Sequence, residues 1–267
     1  MTIRAPEPNA WIELAKLELV SDGVAQVKLC NPPMNALSVG LLSQLHQIVE
    51  GLEDAEDIRA VVVSGEGPAF SAGAEIGELR DVLDPVAAED RIRGVHELFE
   101  RWEGLDQVTI AAIDGPALGG GAELALACDL RVAASDAVVG LPEILLGIIP
   151  AGGGTQRLVR TVGRATATDL ILTGRKVSAG ESLELGLVNR VSPPDSTAEN
   201  EALLWAGTLA ARPAMAVAAA KRALAAAGQP GGFDVEREAF MRLAESRDAA
   251  EGIAAFLERR APSYEHR

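Results

Sequence analysis

The chain reads TIAAIDGPALGGGAELALACDLRVA from Thr109 to Ala133, and this stretch decides its fold class. Residues 109–113 are β-prone and apolar, residues 119–128 have helical character, and residues 130–133 are strand-like again. A strand, a helix and a second strand in this order are typical of a βαβ unit, whose strands pair in parallel. The sequence therefore predicts an α/β fold with a largely parallel sheet.

The residues before this stretch predict a hairpin, a helix and a buried strand. Residues 14–20 and 24–29 are β-prone and flank Ser21-Asp22-Gly23, which favours a hairpin turn. Ser38 is placed to cap a helix, because apolar residues then recur at helical spacing, at Leu41, Leu42, Leu45, Ile48, Val49 and Leu52. The continuous apolar run at residues 60–63 is typical of a strand that is covered on both faces.

The sequence changes character near Pro193-Pro194-Asp195. Four helical segments follow, separated by breaks rich in proline and glycine, at residues 198–211, 214–227, 233–246 and 250–259. We therefore expect a core over residues 1–195 and an α-helical C-terminal region over residues 196–267. Such a region either folds back on its own core or docks onto another subunit, and the pattern leaves both open.

Composition and charge limit the classes of partner. Of the 267 residues 48% are hydrophobic, which is enough for a large core, and the net charge is −15. An acidic surface repels phosphate backbones and anionic lipids, so we expect neither nucleic acid nor a membrane as a partner. The two cysteines, Cys30 and Cys128, suggest neither a disulfide framework nor a zinc site. Residues 1–9 hold no apolar signal region and no long apolar run follows, so we expect a cytoplasmic location.

Two segments of small residues predict places where a ligand reaches the backbone. Residues 69–76, Ala-Phe-Ser-Ala-Gly-Ala-Glu-Ile, follow a buried strand and lead toward a helix. A plain strand-to-helix turn explains this first segment equally well. Gly119, Gly120 and Gly121 begin the next helix, where unhindered N–H groups and the helix dipole favour negative charge. The glycine run therefore predicts an oxyanion hole.

Two glutamates are candidates for acid/base chemistry. Glu123 lies three residues beyond Gly120, so its carboxylate shares the side on which the Gly120 N–H points. Glu143 lies among apolar residues, where desolvation should raise its pKa. A glutamate placed only for the helix dipole and a solvent-facing loop glutamate are the alternatives. Two carboxylates in unlike environments are what the addition of water to an enoyl thioester requires, because one takes a proton from water and the other delivers one to carbon.

Four motifs together resemble the enoyl-CoA hydratase/isomerase (crotonase) family. They are Asn31-Pro32-Pro33-Met34-Asn35-Ala36-Leu37, residues 70–76, residues 119–123, and residues 142–158, which begin Pro142-Glu143 and end Gln156-Arg157-Leu158. Their order and spacing match, and the likeness runs from about residue 10 to the C-terminus. The resemblance implies a crotonase-like spiral of ββα units with a C-terminal α-helical oligomerisation region. It also implies homo-oligomers, as trimers that are usually paired into hexamers.

The resemblance also implies roles for single residues. The N–H groups of Ala74 and Gly120 would form the oxyanion hole. Glu123 would activate the water and Glu143 would supply the proton to Cα, two roles coupled through one shared water. The implied substrate is an acyl-CoA thioester, so that CoA belongs to the substrate, and no metal or redox cofactor is expected. Hydratases of the family carry both glutamates, whereas isomerases keep only one, so the pair favours a hydratase.

Eight further residues are predicted to contact the substrate or its CoA part. Family members often carry a basic residue near the CoA phosphates, where this chain has Pro32-Pro33, and Lys28 is a nearby substitute. Arg259 falls where hydratases tend to carry a lysine that often reaches a neighbouring subunit's ligand, and Phe240 matches an aromatic of the same pocket. Ala151 replaces a glycine and could narrow substrate choice. The full set is Lys28, Ala36, Ala72, Glu75, Ile76, Ala151, Phe240 and Arg259.

Other functions remain as alternatives. Within the family, an enoyl-CoA isomerase would move a double bond with Glu143 alone. Outside it, a CoA-liganded or RNA-binding scaffold is a second alternative, although the net charge of −15 disfavours RNA. A dinucleotide site is unlike this pattern, since Leu124 stands where G-x-G-x-x-G needs a small residue. His46, His96 and His266 lie far apart without a G-x-S-x-G context, which disfavours a serine hydrolase. The acyl chain length and the pathway stay open.

Overall fold

The computed structural model describes residues 13–75, 77–78 and 83–266. Ile76, one of the predicted binding residues, lies outside them. The described strands are β1 (Ala15–Ser21), β2 (Val24–Leu29), β3 (Ala60–Gly65), β4 (Val108–Ile113), β5 (Pro116–Leu118), β6 (Leu130–Ala133), β7 (Val138–Gly140), β8 (Val177–Ser178) and β9 (Arg190–Val191). The described α-helices are α1 (Val39–Glu53), α2 (Pro85–Gly104), α3 (Gly120–Ala127), α4 (Gly154–Thr173), α5 (Ala179–Glu184), α6 (Ala198–Ala210), α7 (Ala214–Ala225), α8 (Gly232–Ala244) and α9 (Arg247–Glu258).

Two sheets carry the fold. The larger has the order β1-β2-β3-β4-β6-β9, and the smaller has the order β5-β7-β8. In the larger sheet β1 and β2 form the predicted antiparallel hairpin, and every other pair is parallel. Helices return the chain between neighbouring parallel strands, as such pairing requires. The largely parallel sheet predicted from residues 109–133 is therefore confirmed.

The helices cover the larger sheet with apolar faces. Ser38 caps α1 by accepting a hydrogen bond from the Leu41 N–H, as expected, and the leucines of α1 face the core. β3 is buried on both faces at Val61, Val62 and Val63. α6 buries a stripe of alanines, Ala198, Ala202, Ala206 and Ala210, against the strands of this sheet. Small side chains let helix and sheet approach closely, so the abundant alanine serves packing as well as helix formation.

The last three helices extend from this core. α8 packs mainly against α7 and α9, and none of its described residues is buried. Large apolar side chains point outward there, with Phe233 86% and Phe256 83% exposed. α6 falls within the predicted C-terminal region, yet its alanine stripe belongs to the core. The division at residue 195 and the oligomerisation role of residues 196–267 stay predictions.

In the part of the chain that the structure describes, no single helix is long and apolar enough to cross a bilayer. α6 and α7 reach the required length and composition only as a pair, and a bend of 109° separates them.

Candidate active site

The chain brings the backbone of Ala74 next to that of Gly120. A Cβ atom at Gly73 would lie 2.7 Å from the Leu118 carbonyl oxygen and 3.1 Å from the Gly120 nitrogen. A Cβ atom at Gly120 would lie 3.9 Å from the Ala74 nitrogen. Gly73 also has a φ of 93°, so glycine is required there by both space and conformation. Only glycine at this position allows the two segments to approach so closely.

Both N–H groups are free to bind a ligand. Among the described residues, neither the Ala74 N–H nor the Gly120 N–H donates a hydrogen bond to a protein acceptor. Gly120 also begins α3, so the positive end of the helix dipole lies at the same place. Two adjacent free donors at a helix N-terminus can stabilise a carbonyl oxygen that gains negative charge.

Asn35 holds the segment that carries Ala74. Its side chain is fully buried, and its Nδ2 donates to the carbonyl oxygens of Glu66 and Ala69 at 2.9 and 2.8 Å. The Ser71 hydroxyl donates in turn to the Asn35 carbonyl oxygen at 2.7 Å. The family resemblance relates the motif at residues 31–37 only to the CoA phosphates. The structure shows that this motif also anchors the neighbouring segment. Asn35 has a left-handed conformation, with a φ of 52°, which asparagine adopts more readily than most other residues.

Glu123 lies on α3, one turn after Gly120, and is 4% exposed. Its Oε1 accepts hydrogen bonds from the N–H groups of Gly152 and Gly154, at 2.7 and 2.8 Å. Burial raises the pKa of Glu123 above its usual value. The two N–H donors and the nearby Arg157 oppose this shift without reversing it. No described group donates to Oε2. One oxygen is therefore held by the protein, and the other is available to a ligand.

Glu143 occupies a 3₁₀ turn at Pro142–Leu146, where the sequence predicted an isolated carboxylate among apolar residues. Burial first, and the charge of Glu123 second, raise the pKa of Glu143 to about 7. This direction is the one expected from its apolar neighbours. Its Oε2 is buried and has no hydrogen-bond partner among the described residues. Its Oε1 lies 3.1 Å from where a Cβ atom of Gly119 would be.

These parts converge at the N-terminal end of α3. Glu143 reaches Gly119, the two free N–H groups lie at Gly120 and Ala74, and Glu123 follows one turn along the helix. The pKa of both carboxyl groups is raised by burial, but N–H donors hold Glu123, whereas Glu143 Oε2 has no hydrogen-bond partner among the described residues. Such a pair can move one proton to and one proton from a ligand held at the N–H groups.

The remaining predicted residues fall into two groups. Ala36 and Ala72 are tied to this backbone network, since Ala36 O accepts from the Asn31 side chain at 2.6 Å and Ala72 N donates to Met34 O at 2.9 Å. Glu75 directly follows Ala74, and Ala151 precedes Gly152.

Three predicted residues are not brought to Glu123 and Glu143 by the chain itself. Lys28 pairs with Glu199 of α6 at 3.1 Å. Phe240 is 69% exposed on α8, and Arg259 ends α9. Among the described residues, no three or more His, Cys, Asp or Glu are grouped to hold a metal ion.

Comparisons with known proteins show which family the chain is similar to. A family model described as enoyl-CoA hydratase/isomerase matches residues 20–267. A probable enoyl-CoA hydratase of Bacillus subtilis (strain 168) is 40% identical over 248 residues, 92% of this chain and 96% of that protein. The 2,3-dehydroadipyl-CoA hydratase of Escherichia coli (strain K12) is 40% identical over 236 residues, 87% of this chain and 91% of that protein.

A solved structure of similar shape supports the same assignment. The enoyl-CoA hydratase from Bacillus anthracis superposes with a TM-score of 0.90 and 37% identity, covering 95% of this chain and 100% of that one. The fold is thus the crotonase-like spiral with a helical C-terminal region, as the four motifs predicted. With a matching family model, relatives at 40% identity and a superposable fold, this chain belongs to the enoyl-CoA hydratase/isomerase family.

Proposed function

We propose that this protein is an enoyl-CoA hydratase, which adds water across the 2,3 double bond of a 2-enoyl-CoA to give a 3-hydroxyacyl-CoA. The observation that carries the proposal is a pair of carboxyl groups in different environments, buried Glu123 and half-buried Glu143, beside the free N–H groups of Ala74 and Gly120. An enzyme that only shifts a double bond needs one proton carrier, whereas hydration needs a base for water and an acid for carbon.

Each group has a defined task in this reaction. Glu123 keeps Oε1 on the Gly152 and Gly154 N–H groups, and its Oε2 takes a proton from water while the hydroxide oxygen bonds to C3. The electrons of the double bond pass to the thioester, whose oxygen gains enolate charge at the Ala74 and Gly120 N–H groups. Glu143 then gives its proton to C2. Before the next turnover the proton on Glu123 passes to Glu143, or Glu123 releases it to solvent while Glu143 takes one from solvent.

The division of roles follows from the environments. A base must be ionised, and although burial raises the pKa of Glu123, the two N–H donors oppose that shift by favouring its ionised form. An acid must hold a proton, and a pKa of about 7 leaves a large share of Glu143 protonated at neutral pH. Addition of water changes no oxidation state overall, so we propose no cofactor beyond the CoA that belongs to the substrate.

Assembly and location are part of the proposal. The exposed phenylalanines of α8 and α9 support a homo-oligomer, as a trimer or a dimer of trimers. In such an assembly Phe240 and Arg259 would serve a neighbouring subunit's substrate. A cytoplasmic location completes the proposal, and Lys28 remains the candidate contact to the CoA phosphates.

Product analysis tests hydration against isomerisation. The wild-type protein is given crotonyl-CoA, a longer 2-enoyl-CoA and a 3-enoyl-CoA, and the products are separated and identified. We expect 3-hydroxyacyl-CoA from the 2-enoyl substrates. If only the 3-enoyl-CoA reacts and yields a 2-enoyl-CoA, the protein is an isomerase that uses Glu143 alone.

A further inference from the structure

The loop at residues 150–154 determines where the carboxylate of Glu123 lies. This loop supplies the two N–H donors, and it also leaves no room beside the carboxylate for a side chain at Gly152 or Gly154. A Cβ atom at Gly152 would lie 2.6 Å from Glu123 Oε2, and one at Gly154 would lie 2.9 Å from Oε1. Any displacement of the loop therefore displaces the carboxylate or removes its hydrogen bonds.

One buried cation holds this loop. Arg157, in the first turn of α4, is 7% exposed, and its Nη1 donates to the Gly152 carbonyl oxygen at 3.0 Å. Its Nε donates to Glu103 Oε2 of α2, also at 3.0 Å. The guanidinium fills the space beside Gly153, where a Cβ atom would collide with it. Arg157 thus ties the loop to α2, and the planar guanidinium makes both bonds at once.

We propose that Arg157 is a positioning residue, which sets the place of the Glu123 carboxylate through the Gly152 peptide. The Gly152 residue bonds to Arg157 with its carbonyl oxygen and to Glu123 with its N–H, so it links the two side chains directly. The inference rests on the proposed function, because it matters only where Glu123 acts on water. Arg157 itself touches neither of the free N–H groups nor the Glu143 carboxyl in the described structure.

The charge of Arg157 adds an electrostatic effect. The titratable groups that face Glu123 are Arg157 from α4, His96 from α2 and Glu143 from the 3₁₀ turn. Of these, Arg157 lowers the pKa of Glu123 most, against the burial that raises it. Removing the cation raises that pKa further, so the base becomes protonated at a higher pH. The acid limb of kcat/KM should therefore move to higher pH.

The test compares charge, geometry and a matched surface arginine in the full-length protein. Arg157→Gln removes both the positive charge and the planar guanidinium that makes the two hydrogen bonds. Arg157→Lys keeps the charge but not the guanidinium, and Arg160→Gln is the control. Arg160 is a neighbour on α4, lies 3.6 Å from the same Glu103, and its side chain is 67% exposed. Rates of crotonyl-CoA hydration are measured from about pH 5 to pH 9, together with circular dichroism and thermal unfolding.

We expect Arg157→Gln to lower kcat by about 10 to 10²-fold with KM changed less than about threefold, since small misplacement of a reacting group has effects of this size. Its acid limb moves to higher pH. Arg157→Lys keeps the acid limb closer to wild type but still loses kcat. Arg160→Gln behaves as wild type. A folded Arg157→Gln variant with wild-type kcat and acid limb overturns the proposal.

Glu103→Gln keeps the inference testable if Arg157→Gln does not fold. This change frees the Nε of Arg157 and removes a negative charge behind it. We expect a lower kcat, with an acid limb at or below its wild-type position, opposite to Arg157→Gln. An unchanged kcat in both Glu103→Gln and Arg157→Lys overturns the proposal. Glu123→Gln distinguishes a failure of the proposed function from a failure of the role of Arg157. Full activity in that variant contradicts the proposed function.

Discussion

Glu123 and Glu143 have the same type of side chain but different hydrogen-bond partners. Both are removed from bulk water, which raises both pKa values, but only Glu123 receives two backbone hydrogen bonds. Glu143 Oε2 has no hydrogen-bond partner among the described residues. In the proposed mechanism, this difference in hydrogen bonding is the reason for assigning the base to Glu123 and the acid to Glu143.

This division predicts opposite pH dependences for the two directions of the reaction. Hydration needs protonated Glu143, so its kcat/KM should fall as the pH rises through about 7. Dehydration of the 3-hydroxyacyl-CoA needs the ionised form, so its kcat/KM should rise over the same range. Initial rates in both directions from pH 5.5 to about pH 9 check this. Parallel profiles for the two directions would contradict the role of Glu143.

The sequence allowed part of this residue-scale picture to be predicted. The apolar neighbours of Glu143 are local, so the direction of its pKa shift followed from them and is confirmed. The bonds from Gly152 and Gly154 to Glu123 join residues about 30 positions apart. No local pattern reports such contacts, and for the same reason the roles of Asn35 and Arg157 were not predicted.

At the scale of elements, the site is a junction of three segments. The turn at residues 31–37, the segment at residues 71–75 and the start of α3 meet through backbone contacts, among them Leu37 N to Gly73 O at 2.7 Å and Leu118 N to Ser71 O at 2.9 Å. The first two segments follow β2 and β3, neighbouring parallel strands of the larger sheet, and the start of α3 follows β4 by way of β5, so all three lie at one edge of that sheet. The fold thereby positions the free N–H donors.

Asn35 should be the most sensitive residue of this junction. Asn35→Ala removes three side-chain hydrogen bonds, two donated by Nδ2 and one accepted by Oδ1 from the Asn31 N–H, and leaves alanine at a φ of 52°. We expect a loss of about 2 to 4 kcal/mol in unfolding free energy. Asn35→Gly, which tolerates the conformation, should lose about 1 kcal/mol less. Urea unfolding of the three proteins measures this, and equal stability of wild type and Asn35→Ala would refute it.

Clear hydrophobic patterns made most elements of the larger sheet predictable from the sequence, whereas the short strands of the smaller sheet were not predicted. The hairpin, α1, β3 and the strand–helix–strand stretch are confirmed at nearly their expected bounds. β5, β7 and β8 have two or three residues each, too few for any periodicity. The sequence pattern predicts no element for the 3₁₀ turn that carries Glu143. Tertiary contacts form such elements, and a local pattern does not report them.

At the scale of the whole molecule, an acidic chain carries an apolar face on its last helices. The chain has a net charge of −15, while α8 and α9 expose Phe233, Phe240 and Phe256. The helical character of this region was predictable from its composition, but its outward direction was not. The sequence left open whether the helices fold back, and in the structure α8 packs mainly on neighbouring helices.

This exposed face predicts self-association. Light scattering coupled to gel filtration should give a mass of three or six times 27.8 kDa. Phe233→Asp together with Phe256→Asp should shift the protein toward monomers, because each substitution puts a charge on a surface that association would desolvate. Leu204→Asp is a control at an exposed leucine of α6. A wild-type monomer with full activity would contradict the proposed assembly.

The central claim is that two glutamates share the addition of water. The most direct measurement is kcat for crotonyl-CoA hydration, followed by loss of the enoyl-thioester absorbance, in Glu123→Gln, Glu143→Gln, the double variant and Glu100→Gln as an exposed control on α2. We expect each single variant to lose about 10²-fold or more, and the double variant to lose far less than the product, because the two groups act as a unit. Near wild-type hydration in Glu123→Gln, with Glu143→Gln inactive, would contradict the account.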